Sequence, residues 1–308
     1  MRAQNGLIGL ITLLLLLLPV VGMAQEVLKI YAPPTPSSIP VILAARNMEN
    51  AEITIFSNHS QAHTLFLRDD IQMLVTGLSV GVNFFQNGVP VQIINSYVSG
   101  VTDLITRDTQ VQSFKELRGK EIYLPFEGAP IEEITAFFVA QEGLSLKEDF
   151  KVIYAPFESS FELLKQGKAQ IVPLPQPLAT VAAAQNGIFL SFGYKERWDA
   201  LTRTSNGYPQ VGIFVKKAWA DAHSDMIRTF HQKLTSALQL LTEDPELAIE
   251  LTKSSFKFPK NVLLNSLHRT TFFLSTSQQL VQDMTNYYSI VGKPLDETFD
   301  SFFYLDQK

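Results

Sequence analysis

Apolar and polar residues alternate along the chain in patterns that change repeatedly between the strand period and the helix period. Short runs of β-branched and aliphatic residues, each stopped by Gly, Pro or polar turn residues, predict strands. We predict these strands at Val27–Ala32, Glu52–Phe56, Ile71–Val75, Val91–Tyr97, Glu121–Leu124, Val152–Ala155, Ala169–Val172 and Ile213–Val215. Apolar residues at helical spacing predict helices at Ile39–Asn47, Ile131–Glu142, Ser160–Gln166, Met226–Thr242, Pro245–Lys253, Val262–Arg269 and Ser277–Val291. Repeated strand–helix–strand units predict an α/β protein with mostly parallel sheets flanked by helices.

The N-terminal segment has the layout of a secretory signal peptide. Arg2 precedes the uncharged stretch Leu7–Val21, and Gly22-Met23-Ala24 presents small residues before a cleavage site. We therefore expect residues 1–24 to be removed on export to a bacterial periplasm. The alternative is an uncleaved anchor, but this apolar stretch is shorter than the roughly 20 residues that span a bilayer.

Composition excludes several classes of chemistry. The chain has 308 residues, no cysteine, and 25 Lys and Arg against 30 Asp and Glu. Without cysteine there is no thiol catalysis, disulfide framework, iron–sulfur cluster or common zinc finger, and no lipid attachment at an N-terminal cysteine. A net charge of −5 without a basic run argues against nucleic-acid binding. The length indicates two domains or one large one.

Four ordered segments carry a family resemblance: Ser113–Ile122, Glu142–Leu144, Leu163–Ile171 and Pro175–Pro177. In these segments the chain resembles the periplasmic substrate-binding proteins of ABC importers. The nearest group is the one that serves nitrate, sulfonates, taurine and thiamine-pyrimidine precursors. Two positions depart from the family pattern, because Gln170 stands where Asp is usual and Gln176 where Glu is usual before proline.

The resemblance implies a two-lobed clamshell of type II, with each lobe a mostly parallel sheet flanked by helices. Residues 25–103 and 212–308 would form lobe 1, and residues 104–211 would form lobe 2. Crossover segments near Asp103–Asp108 and Tyr208–Ile213 would form the hinge. The implied function is that of a receptor. The protein would not be an enzyme and would have no cofactor. As a monomer it would deliver a small organic molecule to an inner-membrane ABC permease and its ATPase. Because cysteine is absent, lipid-anchored receptors and the cysteine-dependent pyrimidine synthase of similar fold are excluded.

Polar and aromatic residues in the loops after strands are the candidate ligand-binding residues. Ligands of open α/β sheets bind beyond the carboxyl ends of the strands, and hydroxyl, amide and aromatic groups there can hold a small molecule. The candidates are Thr35, Ser37, Ser38, Ser57, Asn58, His59, Thr76, Gly77, Ser79, Phe126, Glu127, Gly128, Ala129, Gln176 and Tyr208. Each could alternatively be an ordinary turn or capping residue.

The charge of these loops narrows the expected ligand. A helix N-terminus attracts anions, but Glu127, Glu132 and Glu133 already occupy the start of the helix that follows Phe126. No Lys or Arg lies in the other candidate loops. We therefore expect a neutral or cationic organic ligand rather than nitrate or a sulfonate.

Three alternatives remain open. Gly77-Leu78-Ser79-Val80-Gly81 matches the nucleophile elbow of serine hydrolases, in which Ser79 would be the nucleophile. His59 and His63 are four residues apart, a spacing that can hold a metal on one helix face. Finally, a clamshell could serve as a periplasmic sensory or assembly module instead of a transport receptor.

Overall fold

The structure is a computed structural model that describes residues 26–306. The predicted signal peptide, residues 1–24, lies outside this part of the chain. Among residues 26–306, no helix is long and apolar enough to span a membrane.

The described residues form alternating strands and helices. The strands are β1 (Leu28–Ala32), β2 (Ala51–Ile55), β3 (Met73–Gly77), β4 (Val91–Ser99), β5 (Thr102–Arg107), β6 (Glu121–Leu124), β7 (Lys151–Tyr154), β8 (Ile171–Pro175), β9 (Ile188–Gly193), β10 (Pro209–Lys216) and β11 (Thr271–Ser275). The helices are α1 (Ser38–Arg46), α2 (His59–Leu67), α3 (Leu78–Gln86), α4 (Pro130–Gln141), α5 (Leu146–Asp149), α6 (Phe157–Lys165), α7 (Leu178–Ala183), α8 (Tyr194–Thr202), α9 (Lys217–Ala222), α10 (Ser224–Glu243), α11 (Pro245–Thr252), α12 (Lys260–Leu267) and α13 (Ser277–Ile290).

Six strands form the larger sheet, in the order β11-β4-β10-β3-β1-β2. Side chains of β3 alternate between its two faces, as a pleated strand requires. Met73 and Val75 pack with α1 and α10, whereas Leu74 packs with α2, α3 and α13. The sheet is therefore covered by helices on both faces, and all nine residues of β4 are buried.

The other strands form a second group of two small sheets. One has the order β8-β5-β9, and the other pairs β6 with β7. Helices α6 and α7 pack on one side of this group, while α4 and α8 contribute to an apolar core shared with the larger sheet. The α/β class with flanking helices is thus confirmed.

The expectation of mostly parallel sheets is wrong, because five of the eight strand pairs are antiparallel. Strand β10 is the main reason in the larger sheet. It returns from the second strand group and runs backwards between β3 and β4. In the second group, β5 lies between two strands that run in the opposite direction.

The chain passes between the two strand groups at two short segments. It leaves the larger sheet after Ser99 and enters β5 at Thr102, and it returns between Arg203 and Pro209. Both expected crossovers are therefore wrong, since most of Asp103–Asp108 is the central strand β5 and most of Tyr208–Ile213 belongs to β10. The lobe boundaries themselves stay a prediction.

Helix α3 was not predicted from the sequence, and its glycines show how it fits. A Cβ built on Gly81 would lie only 2.0 Å from a ring carbon of Phe214, on β10. The second glycine of the Gly-x-Ser-x-Gly segment therefore allows close packing of α3 on the larger sheet, which is a structural reason for its presence.

We predict that Gly81→Ala lowers the free energy of unfolding by about 2 kcal/mol or more, because the new methyl group overlaps the buried ring of Phe214. Gln86→Ala, at an exposed position of the same helix, is the control and should change stability by less than about 0.5 kcal/mol. Urea unfolding of both variants measures the difference. Equal stabilities would show that α3 can move away from β10 without cost.

Candidate ligand-binding cavity

A cavity of about 510 Å³ lies between the larger sheet and the second strand group. Its walls are the loops after the carboxyl ends of β1, β2, β3, β6, β7 and β8, together with the beginning of β10. Because β10 is antiparallel to β3, its amino end lies at the same edge as the carboxyl ends. The cavity is thus where ligands of open α/β sheets bind.

Apolar residues form most of the lining. Seven prolines contribute to it: Pro33, Pro34, Pro125, Pro130, Pro156, Pro175 and Pro177. The other apolar lining residues are Ile55, Phe56, Gly77, Val80, Val101, Phe126, Ala129, Ile131, Phe157, Leu178, Val211 and Phe258. The polar ones are Thr35, Ser57, His59, Thr76, Glu158, Ser159, Gln176, Gln210, Ser255 and Lys257. The charged pair, Glu158 and Lys257, is exposed to solvent.

Eight of the fifteen residues predicted from the sequence line this cavity. They are Thr35, Ser57, His59, Thr76, Gly77, Phe126, Ala129 and Gln176. Seven of them lie in loops or strand ends at one edge of the fold, and His59 is the first residue of α2, which follows β2 at the same edge.

Two predicted serines that follow β1, Ser37 and Ser38, do not line the cavity. The hydroxyl of Ser38 donates to the carbonyl of Pro33, and the hydroxyls of Thr35 and Ser37 are 2.6 Å apart. Tyr97 donates to the carbonyl of Ser37 at 3.0 Å. These hydrogen bonds stabilise the turn at Pro33-Pro34. Asn58 also lies outside the lining, where its side chain caps α2 by accepting from the Gln61 N–H at 3.0 Å.

The remaining predicted residues have partners elsewhere. Ser79 is buried and donates to the carbonyl of Gly128 at 2.9 Å. Among the described residues no histidine accepts from the Ser79 hydroxyl, so the arrangement of a serine hydrolase is not present there. Glu127 is exposed and its carboxylate accepts from Lys147 at 2.5 Å. Tyr208 is buried in an aromatic cluster with Trp198, 5.3 Å away between ring centroids.

Two histidines of α2 join an aromatic cluster that includes both strand groups. The ring of His59 lies 4.9 Å from Phe56 and 6.3 Å from Phe157, and the ring of His63 lies 6.4 Å from Phe126. Burial lowers the pKa of each histidine from 6.5 to about 4, with the charge of His59 adding to the effect on His63. Both are therefore neutral at pH 7.

These histidines do not form a metal centre with other ligands. No group of three or more His, Cys, Asp or Glu able to hold a metal occurs within residues 26–306. Instead, each imidazole packs edge-on against phenylalanine rings, so the pair serves as part of an aromatic wall.

The glutamates before and within α4, Glu127, Glu132 and Glu133, do not line the cavity. Glu132 accepts from the N–H of Gly128 and from the Tyr154 hydroxyl, both at 2.5 Å. Partial desolvation and the hydrogen bond to Glu132 raise the pKa of Tyr154 to about 12. Glu133 accepts from Lys293 at 2.9 Å. The N-terminus of α4 therefore already has carboxylate partners from the protein itself.

Gln176 links the cavity to a buried ion pair. Its amide nitrogen donates to Asp103 Oδ2 at 2.6 Å, and its amide oxygen accepts from Thr180 at 2.6 Å. Arg269 holds the same carboxylate with two bonds, Nη2 to Oδ1 at 2.5 Å and Nε to Oδ2 at 3.1 Å. Burial raises the pKa of Asp103, and its bonds to Arg269 and Gln176 oppose that shift. Because Arg269 lies just before β11 and Asp103 on β5, the pair joins the two strand groups.

Several lining residues were not predicted from the sequence. Pro156 and Phe157 follow β7, so the same strand-end rule would have found them. Lys257 and Phe258 come from the loop before α12, which follows no strand. No sequence signal places that loop at the cavity, because tertiary packing alone brings it there.

Comparison with known proteins identifies the relatives of this chain. The profile of the family described as NMT1/THI5 like matches residues 39–248, more than two thirds of the chain. A search of curated protein sequences gave no match.

Solved structures with the same fold include binding components of import systems. One is the ligand-binding component of an ABC-type import system from Staphylococcus aureus, with 13% identity, a TM-score of 0.75, and 91% of this chain and 97% of that chain covered. Another is the periplasmic aliphatic sulphonate-binding protein SsuA from Escherichia coli, with 15% identity, a TM-score of 0.72, and coverages of 92% and 93%. The periplasmic nitrate-binding protein NrtA from Synechocystis has 13% identity, a TM-score of 0.67, and coverages of 83% and 74%. The fold of a periplasmic binding protein is thus confirmed.

We predict that the protein loses stability as the pH falls through the range in which unfolded histidine takes up a proton. The pKa of each of His59 and His63 is 6.5 in the unfolded chain and about 4 in the folded protein. The contribution of the two neutral histidines to the free energy of unfolding is therefore fully present above pH 6.5 and declines towards pH 4. The shift corresponds to roughly 3 kcal/mol for each of His59 and His63. Urea unfolding between pH 4.5 and 7.5 measures this slope.

The variant with both His59→Gln and His63→Gln should have a shallower slope. Some slope will remain, because burial also lowers the pKa of His231 to about 4. His268→Gln, at an exposed position, is the control and should keep the slope of the wild type. An unchanged slope in the double variant would contradict the prediction.

Proposed function

Since the chain belongs to the NMT1/THI5-like family, we propose that it is a periplasmic receptor which binds a small organic molecule and delivers it to an inner-membrane ABC permease with its ATPase. The observation that carries this proposal is the 510 Å³ cavity, which has lining residues from both strand groups. The signal-peptide pattern of residues 1–24 supports export. The relatives described as ligand-binding components of ABC importers support the transport role.

The two strand groups would be the two lobes of the receptor. In this proposal the larger sheet with its helices is lobe 1, and the strands β5–β9 with theirs are lobe 2. The short segments 100–101 and 203–208 would act as the hinge, since a few residues at element ends can absorb a closing rotation.

A ligand can shift such an equilibrium only if it binds the closed form better than the open form. The cavity would meet this requirement, because a molecule inside it would contact Phe56 and Thr76 on one side and Phe126 and Phe157 on the other. Closure would increase those contacts, and the permease would recognise the closed monomer.

Native mass spectrometry of protein purified from its source tests the receptor function. We expect a bound small molecule that is lost on denaturation and refolding. Adding it back at one hundred times its dissociation constant should raise the free energy of unfolding by about 2.7 kcal/mol. It should also decrease the radius of gyration in small-angle X-ray scattering, as hinge closure requires.

Uptake of the identified compound separates transport from sensing. We expect deletion of the gene to abolish high-affinity uptake, and reintroduction of the wild-type gene to restore it. Normal uptake in the deletion strain, together with a stable complex between the protein and a sensor kinase, would overturn the transport proposal in favour of a sensory module.

We predict that Gln176→Glu destabilises the protein by about 2 kcal/mol or more at pH 8, because it places a second carboxylate beside buried Asp103. The difference from the wild type at the same pH should be smaller at pH 5 than at pH 8, because lower pH favours the neutral form of one of the two carboxyls. Gln232→Glu, an exposed site on α10, is the matched control with an expected change of less than about 0.5 kcal/mol. Urea unfolding at both pH values measures the effect, and equal stabilities of the two variants would contradict it.

A further inference from the structure

The cavity has few groups that could neutralise an anion. Its charged lining residues are Glu158 and Lys257, which are opposite in sign and exposed to solvent. Among the described residues no Arg lines the cavity. Arg269, which lies behind Gln176, is held by the carboxylate of Asp103.

The backbone donors that usually bind oxyanions are also depleted. Free N–H groups at helix N-termini and in strand-end loops are the common anion ligands. Here proline, which has no N–H, is the first residue of α4 and the N-cap of both α6 and α7. Pro33, Pro34 and Pro125 remove further donors after β1 and β6.

A carboxylate of the protein lies at the N-terminus of α4. The N–H of Gly128, two residues before this helix begins, donates to the carboxylate of Glu132 at 2.5 Å. A bound anion would have to compete with this buried carboxylate and would be repelled by it.

The amides that line the cavity already have partners. Gln176 bonds to Asp103 and Thr180, and Gln210 donates to Thr102 at 2.8 Å while accepting from the N–H of Val101. Thr35 shares its hydroxyl with Ser37. Since the internal bonds satisfy much of the polar lining, a ligand with many polar groups would lose its own hydration without full replacement.

Most of the surface left for a ligand is apolar and largely aromatic, with a few hydroxyls and the N–H groups at the starts of α3 and α6. Phe56, Phe126, Phe157 and Phe258 lie in the walls, and Thr76 and Ser57 provide hydroxyl groups. The imidazole of His59 is neutral near pH 7, so it adds polarity without charge. Aromatic side chains favour flat apolar partners that stack on their faces or edges.

We propose that the cavity binds an uncharged and mainly apolar organic molecule, with a ring system in its body and one or two hydrogen-bonding groups. This inference rests on the proposed receptor function and adds the chemical class of the ligand. A cavity of about 510 Å³ has room for a ligand of two or three fused or linked rings.

The inference is tested with the purified full-length mature protein and the neutral fluorophore N-phenyl-1-naphthylamine. We expect saturable binding of one fluorophore per chain with an increase in fluorescence. Three competitors then share the naphthalene ring and carry a neutral, an anionic or a cationic substituent: 1-naphthalenemethanol, 1-naphthalenesulfonate and 1-naphthylmethylammonium. The alcohol should displace the fluorophore at least about tenfold more effectively than either ion.

Two variants locate the binding. Phe157→Ala, in the cavity wall, should weaken fluorophore binding by about tenfold, whereas Phe189→Ala, at an exposed position of β9 outside the lining, should leave it unchanged. Equal binding by both variants would mean that the fluorophore lies elsewhere, and this would overturn the inference.

Stronger competition by the sulfonate or the ammonium compound would overturn the uncharged class, as would a charged molecule that co-purifies and displaces the fluorophore. Either result leaves the receptor function standing, since a small molecule still binds. The receptor function itself is tested separately by the uptake experiment. The outcome of that experiment does not depend on the charge of the ligand.

Discussion

A buried carboxylate, Asp103, is the constraint on which the arrangement of the cavity depends. Removing such a charge from water costs several kcal/mol unless other groups pair with it. Arg269 and Gln176 provide that pairing, one from the end of the larger sheet and the other from the cavity wall. The ion pair that joins the two strand groups and the side chain of Gln176 in the cavity wall therefore belong to one hydrogen-bonded network. A ligand that contacts Gln176 acts on a residue which helps to hold the two groups together.

Sequence patterns predict the elements whose burial follows from local periodicity, and they miss elements whose burial depends on distant hydrogen-bond partners. Helix α10 was predicted within two residues at its start, because its apolar residues at helical spacing form one continuous buried face. Strand β5 was missed, because Thr102, Asp103 and Thr106 give it the polarity of a loop. These side chains are buried only because partners distant in the chain accept or donate hydrogen bonds to them. Local periodicity carries no information about such partners, nor about the direction in which β10 returns.

Candidate site residues divide along a similar line. The rule that ligands lie beyond strand ends depends on topology alone, and it placed Thr76, Phe126 and Gln176 at the cavity. It could not give the direction of each side chain. Tyr208 lies beside a strand end, yet its ring packs against Trp198 and Tyr287 in the core. Glu127 follows Phe126 directly, but pairing with Lys147 holds it in solvent. Side-chain direction depends on packing partners that the local sequence does not identify.

The distribution of proline shows how a shared fold can serve ligands of different charge. Strand order and helix positions do not need an N–H at the strand-end loops, since those groups lie outside the ladders. Proline at Pro33, Pro125 and Pro156 is therefore compatible with the fold while it removes donors from the cavity. Glu132 acts in the same direction, because it occupies the N–H of Gly128 without altering α4. The sulphonate- and nitrate-binding proteins thus share the architecture of the chain, whereas the donors that line its cavity are set by its own loop residues.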